Sequence, residues 1–265
     1  MADTADTTTA PLKPQHQKQQ PQHKRRILLG VTGSVAAIKC PELAVRFCRE
    51  QNAHVKIILT QAGEHFWHKS ADYNPTAWQE FQSILALTSD DITNNNNINN
   101  TNENANRNEI NQITMYRSED EWKGWDALGD PVLHIELRDW ADLMVIAPLS
   151  AHTLAKISCG LCDDLLSCVV RAWDFGNGSV RPGKPMVLAP AMNTAMWEHP
   201  LTSSQLVIVR GFWNCFNNNV RDNNDNVGVY VVEPQVKALA CGEVGTGALA
   251  ELDDIVRFVE GSLCR

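Results

Sequence analysis

Three places in the 265-residue sequence gather side chains that can bind or donate at one point. Ala240-Cys241-Gly242-Glu243-Val244-Gly245-Thr246-Gly247 sets a thiol in a loop with three glycines, whose backbone freedom would let it open and close over a ligand. A thiol on such a flap can reach a substrate, although burial as a small apolar group is the commoner fate of a free cysteine. Pro190-Ala191-Met192-Asn193-Thr194-Ala195-Met196-Trp197 places one amide among two methionines and a tryptophan. The methionines read as packing, and the Asn193 amide as a partner for a carboxylate or a ring carbonyl. Gly30-Val31-Thr32-Gly33-Ser34-Val35-Ala36-Ala37 puts two glycines and two hydroxyls where an apolar run gives way to a helical pattern. Backbone N–H groups and a helix dipole there suit a phosphate, and an ordinary strand-to-helix turn fits equally well. The spacing is neither GxGxxG nor a Walker A loop, because no GK[ST] follows.

Other candidates are weaker taken singly. Ser150 and Thr153 follow an apolar run and could cap a helix or add hydroxyls and N–H donors to the same edge. Cys159-Gly160-Leu161-Cys162 has CxxC spacing, but no second pair stands at a zinc-site distance, so a structural role outweighs metal or redox chemistry. His134 sits in a helix-like apolar segment that begins at Pro131, where a lone histidine is more often a satisfied core or surface residue than a catalyst. Asn99 and Asn177 match the N-glycosylation pattern, which a cytosolic chain would not use.

The elements that must position these residues alternate between two periods. Residues 27–32, 54–60, 143–148, 185–190 and 229–232 are short apolar runs, while 35–50, 154–173, 202–209 and 252–263 carry helical spacing. Strands apolar on both faces and separated by helices predict an α/β fold, a doubly wound parallel sheet in a single domain. Ligands of such sheets bind beyond the carboxyl ends of the strands, which is where the polar candidates fall. The second strand ends at Thr60-Gln61 rather than at an acidic residue for a ribose diol, so a mononucleotide phosphate suits the fold better than NAD.

Residues 1–25 hold too little apolar surface to offset the entropy of ordering and read as a disordered arm before a domain of residues 26–265. Asparagine-rich stretches near residues 90–112 and 214–226 read as insertions, which a surface loop tolerates cheaply. With 31 acidic and 23 basic side chains the net charge is −8, and because residues 1–26 carry +3 the remainder carries −11. A body that acidic argues against nucleic acid as a partner. No run approaches the roughly 18 apolar residues of a membrane span, and no apolar signal core opens the chain, so the expected location is the cytosol, with no membrane partner. The eight cysteines, scattered through a long chain, are expected to be reduced thiols.

Residues 33–39, 129–137, 147–151, 160–163, 171–174, 190–193 and 240–242 together resemble the phosphopantothenoylcysteine decarboxylases, a family of flavin-containing cysteine decarboxylases. The resemblance runs from about Ile27 to Glu251 with the asparagine-rich stretches looped out. It implies FMN as cofactor and decarboxylation of 4′-phosphopantothenoylcysteine to 4′-phosphopantetheine, a step of coenzyme A synthesis. The implied course is oxidation of the substrate cysteine to a thioaldehyde, loss of CO₂ and reduction of the enethiol. It makes His134 the active-site histidine, Asn193 the carboxylate-binding amide and Cys241 the final proton donor. It makes Gly33, Ser34, Val35, Thr60, Gln61, Phe66, Ser150, Ala151, His152, Thr153 and Ala191 FMN contacts, and Lys39, Asn193, Met196 and Ala240 substrate contacts. No metal is implied. The family is a homotrimer with active sites shared between subunits, so His134 would face a neighbour's flavin. His152 departs from the family's usual asparagine, and Cys159 stands where a glycine is common. An alternative is a regulatory subunit that inhibits a protein phosphatase, as for some fungal relatives. The presence of His134, Asn193 and Cys241 favours catalysis over it, and over a sister flavoprotein acting on peptidyl cysteine or flavin.

Overall fold

The computed structural model describes residues 24–94, 112–176, 181–212, 228–238 and 244–263. Six strands form one parallel sheet in the order β3-β2-β1-β4-β5-β6. They are β1 (Arg25–Val31), β2 (Ala53–Leu59), β3 (Ile113–Arg117), β4 (Leu143–Leu149), β5 (Met186–Pro190) and β6 (Val229–Val231). The apolar runs become central strands because successive side chains point to opposite faces and both faces are covered. Ile27, Leu29, Val55, Ile57, Val145 and Val187 enter one core, while Leu28, Ile58, Met144, Ile146 and Leu188 enter the other.

The first core is roofed by α1 (Cys40–Glu50), which a 3-10 turn (Val35–Lys39) precedes, by α2 (Gln61–Trp67) and by α4 (Pro75–Asn94), which a short α3 (Ser70–Tyr73) precedes. Burying a Leu or Ile side chain in such a core is worth about 1.5–3 kcal/mol, so these alternating positions outweigh any local strand preference. The second core is roofed by α5 (Leu133–Trp140), α6 (Ala151–Cys159) and α7 (Leu165–Ala172). The chain then adds α8 (Thr194–Trp197) and α9 (Pro200–Arg210), and after β6 an antiparallel hairpin of β7 (Gln235–Ala238) and β8 (Val244–Ala248). The closing helix α10 (Leu252–Leu263) returns to the first core with Ile255, Val256 and Val259.

The sheet reverses direction between β1 and β4, whose successors lie on opposite sides, and this reversal opens a crevice at their carboxyl ends. The single helix expected over residues 154–173 is two helices. Gly160 takes the left-handed conformation at φ 72° and ends α6, and Asp164 caps α7 in a reciprocal box with Ser167. β3 and the β7–β8 hairpin extend the expected set of five strands. β1 begins at Arg25, one residue inside the expected arm, and α4 continues through Asn94 into the first asparagine-rich stretch. The rest of the arm, residues 95–111 and residues 214–226 lie outside the described residues. Among the described residues no helix is long and apolar enough to cross a membrane.

Candidate active site

One buried hydroxyl joins the two strand ends at the floor of the crevice. Thr32, directly after β1, donates from Oγ1 to the Pro148 carbonyl at 2.7 Å and accepts from the Ser150 N–H at 2.8 Å, tying the ends of β1 and β4 together. The chain leaves β1 through Gly33, where a Cβ would stand 2.6 Å from the Ala62 Cβ, so only glycine lets this turn pass α2 so closely. Ser34 then caps the 3-10 turn by accepting from the Ala36 N–H, and Ser150 caps α6 by accepting from the Thr153 N–H at 3.3 Å. Two helical starts with their unpaired N–H groups therefore open at one place, an arrangement that favours an anion.

The opposite wall comes from farther along the chain. The Met192 N–H donates to the Gly247 carbonyl at 2.9 Å, laying β8 over the exit of β5. A Cβ on Gly247 would fall 2.1 Å from the Met192 carbonyl oxygen, so this approach also requires glycine. Asn193 caps α8, its Oδ1 accepting from the Ala195 N–H at 2.9 Å, which orients the amide at the mouth of the crevice. The result is a cleft of about 690 Å³, within the usual span for a small-molecule site. Val35, Ile38, Phe66, Tyr73 and Leu249 give it apolar walls, and Lys39 and Lys237 bring positive charge to it. Lys237 also reaches Glu251 at 3.3 Å, and that hydrogen bond holds the Glu251 carboxyl below its ordinary range.

Of the residues implied by the sequence, Gly33, Ser34, Val35, Lys39, Phe66, Ser150, Ala151, His152, Ala191, Asn193 and Met196 line this one cleft. His152 is exposed in the first turn of α6. Thr60, Gln61 and Thr153 do not line it. The Thr60 hydroxyl accepts from the Gly63 N–H at 3.1 Å and donates to the Val31 carbonyl at 3.2 Å, while Thr153 is buried against Ser150 Oγ at 3.2 Å. The Thr60 hydroxyl thereby caps α2, as the Ser150 hydroxyl caps α6. Cys241 and Ala240 lie outside the described residues. His134 is not part of the cleft within one chain, and its Nδ1 stands 2.5 Å from Glu121 Oε1. Sequence reasoning missed Ala36, Ile38, Tyr73, Met192, Gln235, Lys237, Gly247, Ala248 and Leu249 as lining residues. The last five belong to a hairpin or its edge, and a second apolar-polar alternation after residue 232 was the available signal.

Cys40 is buried against the Ala147 carbonyl, to which its thiol donates at 3.3 Å, and burial pushes that thiol far above its ordinary value. Cys48 is pushed up to about 12 for the same reason. Neither thiol is available as a nucleophile. Cys159 and Cys162 are free and exposed, with the Cys162 Sγ turned back on the Gly160 carbonyl at 3.4 Å.

Comparison with known proteins places this site in context. A family model described as Flavoprotein matches residues 15–264. A phosphopantothenoylcysteine decarboxylase of Mus musculus is 38% identical over 243 residues, covering 91% of this chain and 89% of that protein. A phosphopantothenoylcysteine decarboxylase HAL3 of Malus domestica is 38% identical over 247 residues, covering 92% and 87%. Among solved structures, a cysteine-to-serine mutant of PPC decarboxylase complexed with pantothenoylaminoethenethiol superposes with a TM-score of 0.63 at 36% identity, over 90% of this chain and 97% of that one. The FMN binding protein AtHal3 superposes with a TM-score of 0.59 at 36% identity, over 91% and 97%.

Proposed function

The chain belongs to the flavoprotein family, and from that premise we propose that it is an FMN-dependent decarboxylase converting 4′-phosphopantothenoylcysteine to 4′-phosphopantetheine in coenzyme A synthesis. The observation that carries this reading is the cleft at the β1–β4 reversal, where two capped helical starts, apolar walls, two lysines and the Asn193 amide converge. The residues present fit FMN. The turn at Gly33 and Ser34 and the start of α6 at Ser150 offer N–H donors to a phosphate, and Val35, Ile38 and Phe66 offer surface to a flat ring. When bound, FMN would supply the two-electron couple needed to oxidise the substrate cysteine and to take part in the final reduction, with no net redox change.

The chain's own residues handle the rest. The Asn193 amide orients the substrate carboxylate, and Lys39 offers charge to an anionic part of the substrate. Once the substrate side chain is a thioaldehyde, its C=S group accepts the electrons released as CO₂ leaves, giving an enethiol. Cys241 supplies the proton for the final return to a saturated thiol. The His134 imidazole serves the cleft of a neighbouring subunit in a homotrimer, a reading supported by its place outside its own chain's cleft. Exposed Leu201, Val207 and Ile208 on α9 support such an assembly as well.

The mass of the product made from 4′-phosphopantothenoylcysteine tests the proposal. Loss of 44 Da as CO₂ with no net redox change is expected, and unchanged substrate under saturating FMN would end the proposal. Cys241→Ser should oxidise and decarboxylate but accumulate the enethiol, and full activity in that variant would remove Cys241 from its role.

A further inference from the structure

His134 sits at the second position of α5 and is 22% exposed, and the residue it meets is Glu121, in the turn after β3 and 6% exposed. Glu121 Oε1 lies 2.5 Å from His134 Nδ1 across 13 residues of sequence. An ionised carboxylate can only accept, so Nδ1 carries the proton in this contact, and in the neutral imidazole Nε2 is then the nitrogen with the lone pair. A carboxylate this deeply buried is costly unless it is paired, and among the described residues Glu121 Oε2 has no hydrogen-bond partner. Among the described residues, the side-chain hydrogen bond that holds the Glu121 carboxylate is the one to the imidazole.

We propose that Glu121 is a positioning residue for His134, fixing its tautomer and ring orientation so that Nε2 is presented to the reacting group. The inference rests on the reading of His134 as the histidine that serves decarboxylation. The contact also has a metal-like look, because a Cys168 sulfur joins these two groups with all three ligand atoms within 4.8 Å of one another. Two observations favour the hydrogen-bonded pair over a cation. The Cys168 thiol is already committed as a donor to the Cys162 carbonyl at 3.4 Å, and burial, helped by the nearby Glu121 carboxylate, pushes it up to about 11, where it stays protonated. A neutral thiol beside a hydrogen-bonded imidazole is packing for the pair, contributed by α7. A carboxylate behind an imidazole is a general means of selecting which ring nitrogen works, and losing it commonly costs about 10- to 100-fold where the histidine does chemistry or binds a metal.

Two substitutions in the full-length, FMN-loaded protein separate positioning from packing. Glu121→Met keeps the volume and removes the acceptor, whereas Glu121→Gln keeps a carbonyl oxygen that can still take the Nδ1 proton. The Met variant should lose about 10- to 100-fold in kcat with KM and flavin absorbance unchanged, and the Gln variant should recover most of that loss. The ¹⁵N signals of the His134 imidazole, identified with a His134→Gln control, should report Nδ1–H in the wild type and the Gln variant and a tautomer mixture in the Met variant. Unchanged kcat and unchanged imidazole signals in the Met variant, or equal loss in both variants, would overturn the proposal. A wild-type protein without decarboxylase activity would instead overturn the function argued above, and the imidazole signals would still decide the pairing.

Discussion

Ser150 and Thr32 stand 118 residues apart in sequence and are joined by a buried hydrogen bond of 2.8 Å, from the Ser150 N–H to the Thr32 hydroxyl. The same hydroxyl donates to the Pro148 carbonyl, so one oxygen holds the two strand ends whose separation makes the cleft. Thr32→Val is nearly isosteric and leaves a buried N–H and a buried carbonyl without their partner. A loss of about 1–3 kcal/mol in urea unfolding is expected, together with weaker FMN binding by titration. An unfolding midpoint equal to the wild type would mean that water replaces the hydroxyl and that the bridge does not shape the site.

The hairpin wall gives a sharper steric test. A Cβ at Gly247 would meet a backbone oxygen of Met192 at 2.1 Å, and neither chain can yield without moving a strand. Gly247→Ala should therefore lower stability by about 1–3 kcal/mol and displace the hairpin from the cleft, read as lost flavin affinity. Gly124→Ala, where a Cβ would meet nothing within 4 Å, is the control and should match the wild type in both measurements.

Acid sensitivity should be traceable to Asp164. Burial on its own would raise this carboxyl, but the Lys156 ammonium at 2.8 Å and the Ser167 N–H at 2.8 Å outweigh it and hold the group below its ordinary range. A depressed folded value contributes stability that is fully present above the unfolded value near 3.9 and disappears as pH falls through the lower folded one. Asp164→Asn keeps the helix cap and loses the charge. It should cost about 1 kcal/mol at neutral pH, with the difference from wild type closing as pH falls below the unfolded value in chemical denaturation. A constant offset across that range would refute the linkage.

Asn193→Asp keeps the cap on α8, because a carboxylate oxygen can still accept from the Ala195 N–H. It replaces an amide donor at the cleft with a negative charge. If Asn193 holds the substrate carboxylate, turnover should fall by at least about 100-fold while the flavin absorbance and melting temperature stay near wild type. Retained turnover would limit Asn193 to capping.

Several features were legible before any coordinates. Val145 and Ile146, adjacent in an unbroken apolar run, already required a strand covered on both faces, because side chains alternate and each had to find a core. The polar residues after the strands, Gly33-Ser34, Ser150 and Asn193, marked the binding edge for the same topological reason. The break at Gly160 was less visible, since apolar spacing continues on both sides of it and only the left-handed backbone ends the helix. Thr60 and Thr153 lie beside the cleft residues in sequence but do not line the cleft, because the Thr60 hydroxyl caps α2 and the Thr153 hydroxyl accepts from the buried Ser150 hydroxyl.

By itself the sequence determined the class of fold, the sheet edge at which the cleft opens and the kind of cofactor that edge suits, because those follow from local periodicity and from which residue types stand at strand ends. Only the tertiary structure decided that Gly247 closes the cleft over Met192 and that Glu121 stands behind His134. Both depend on how distant segments meet, and no spacing along a chain encodes a distance across it.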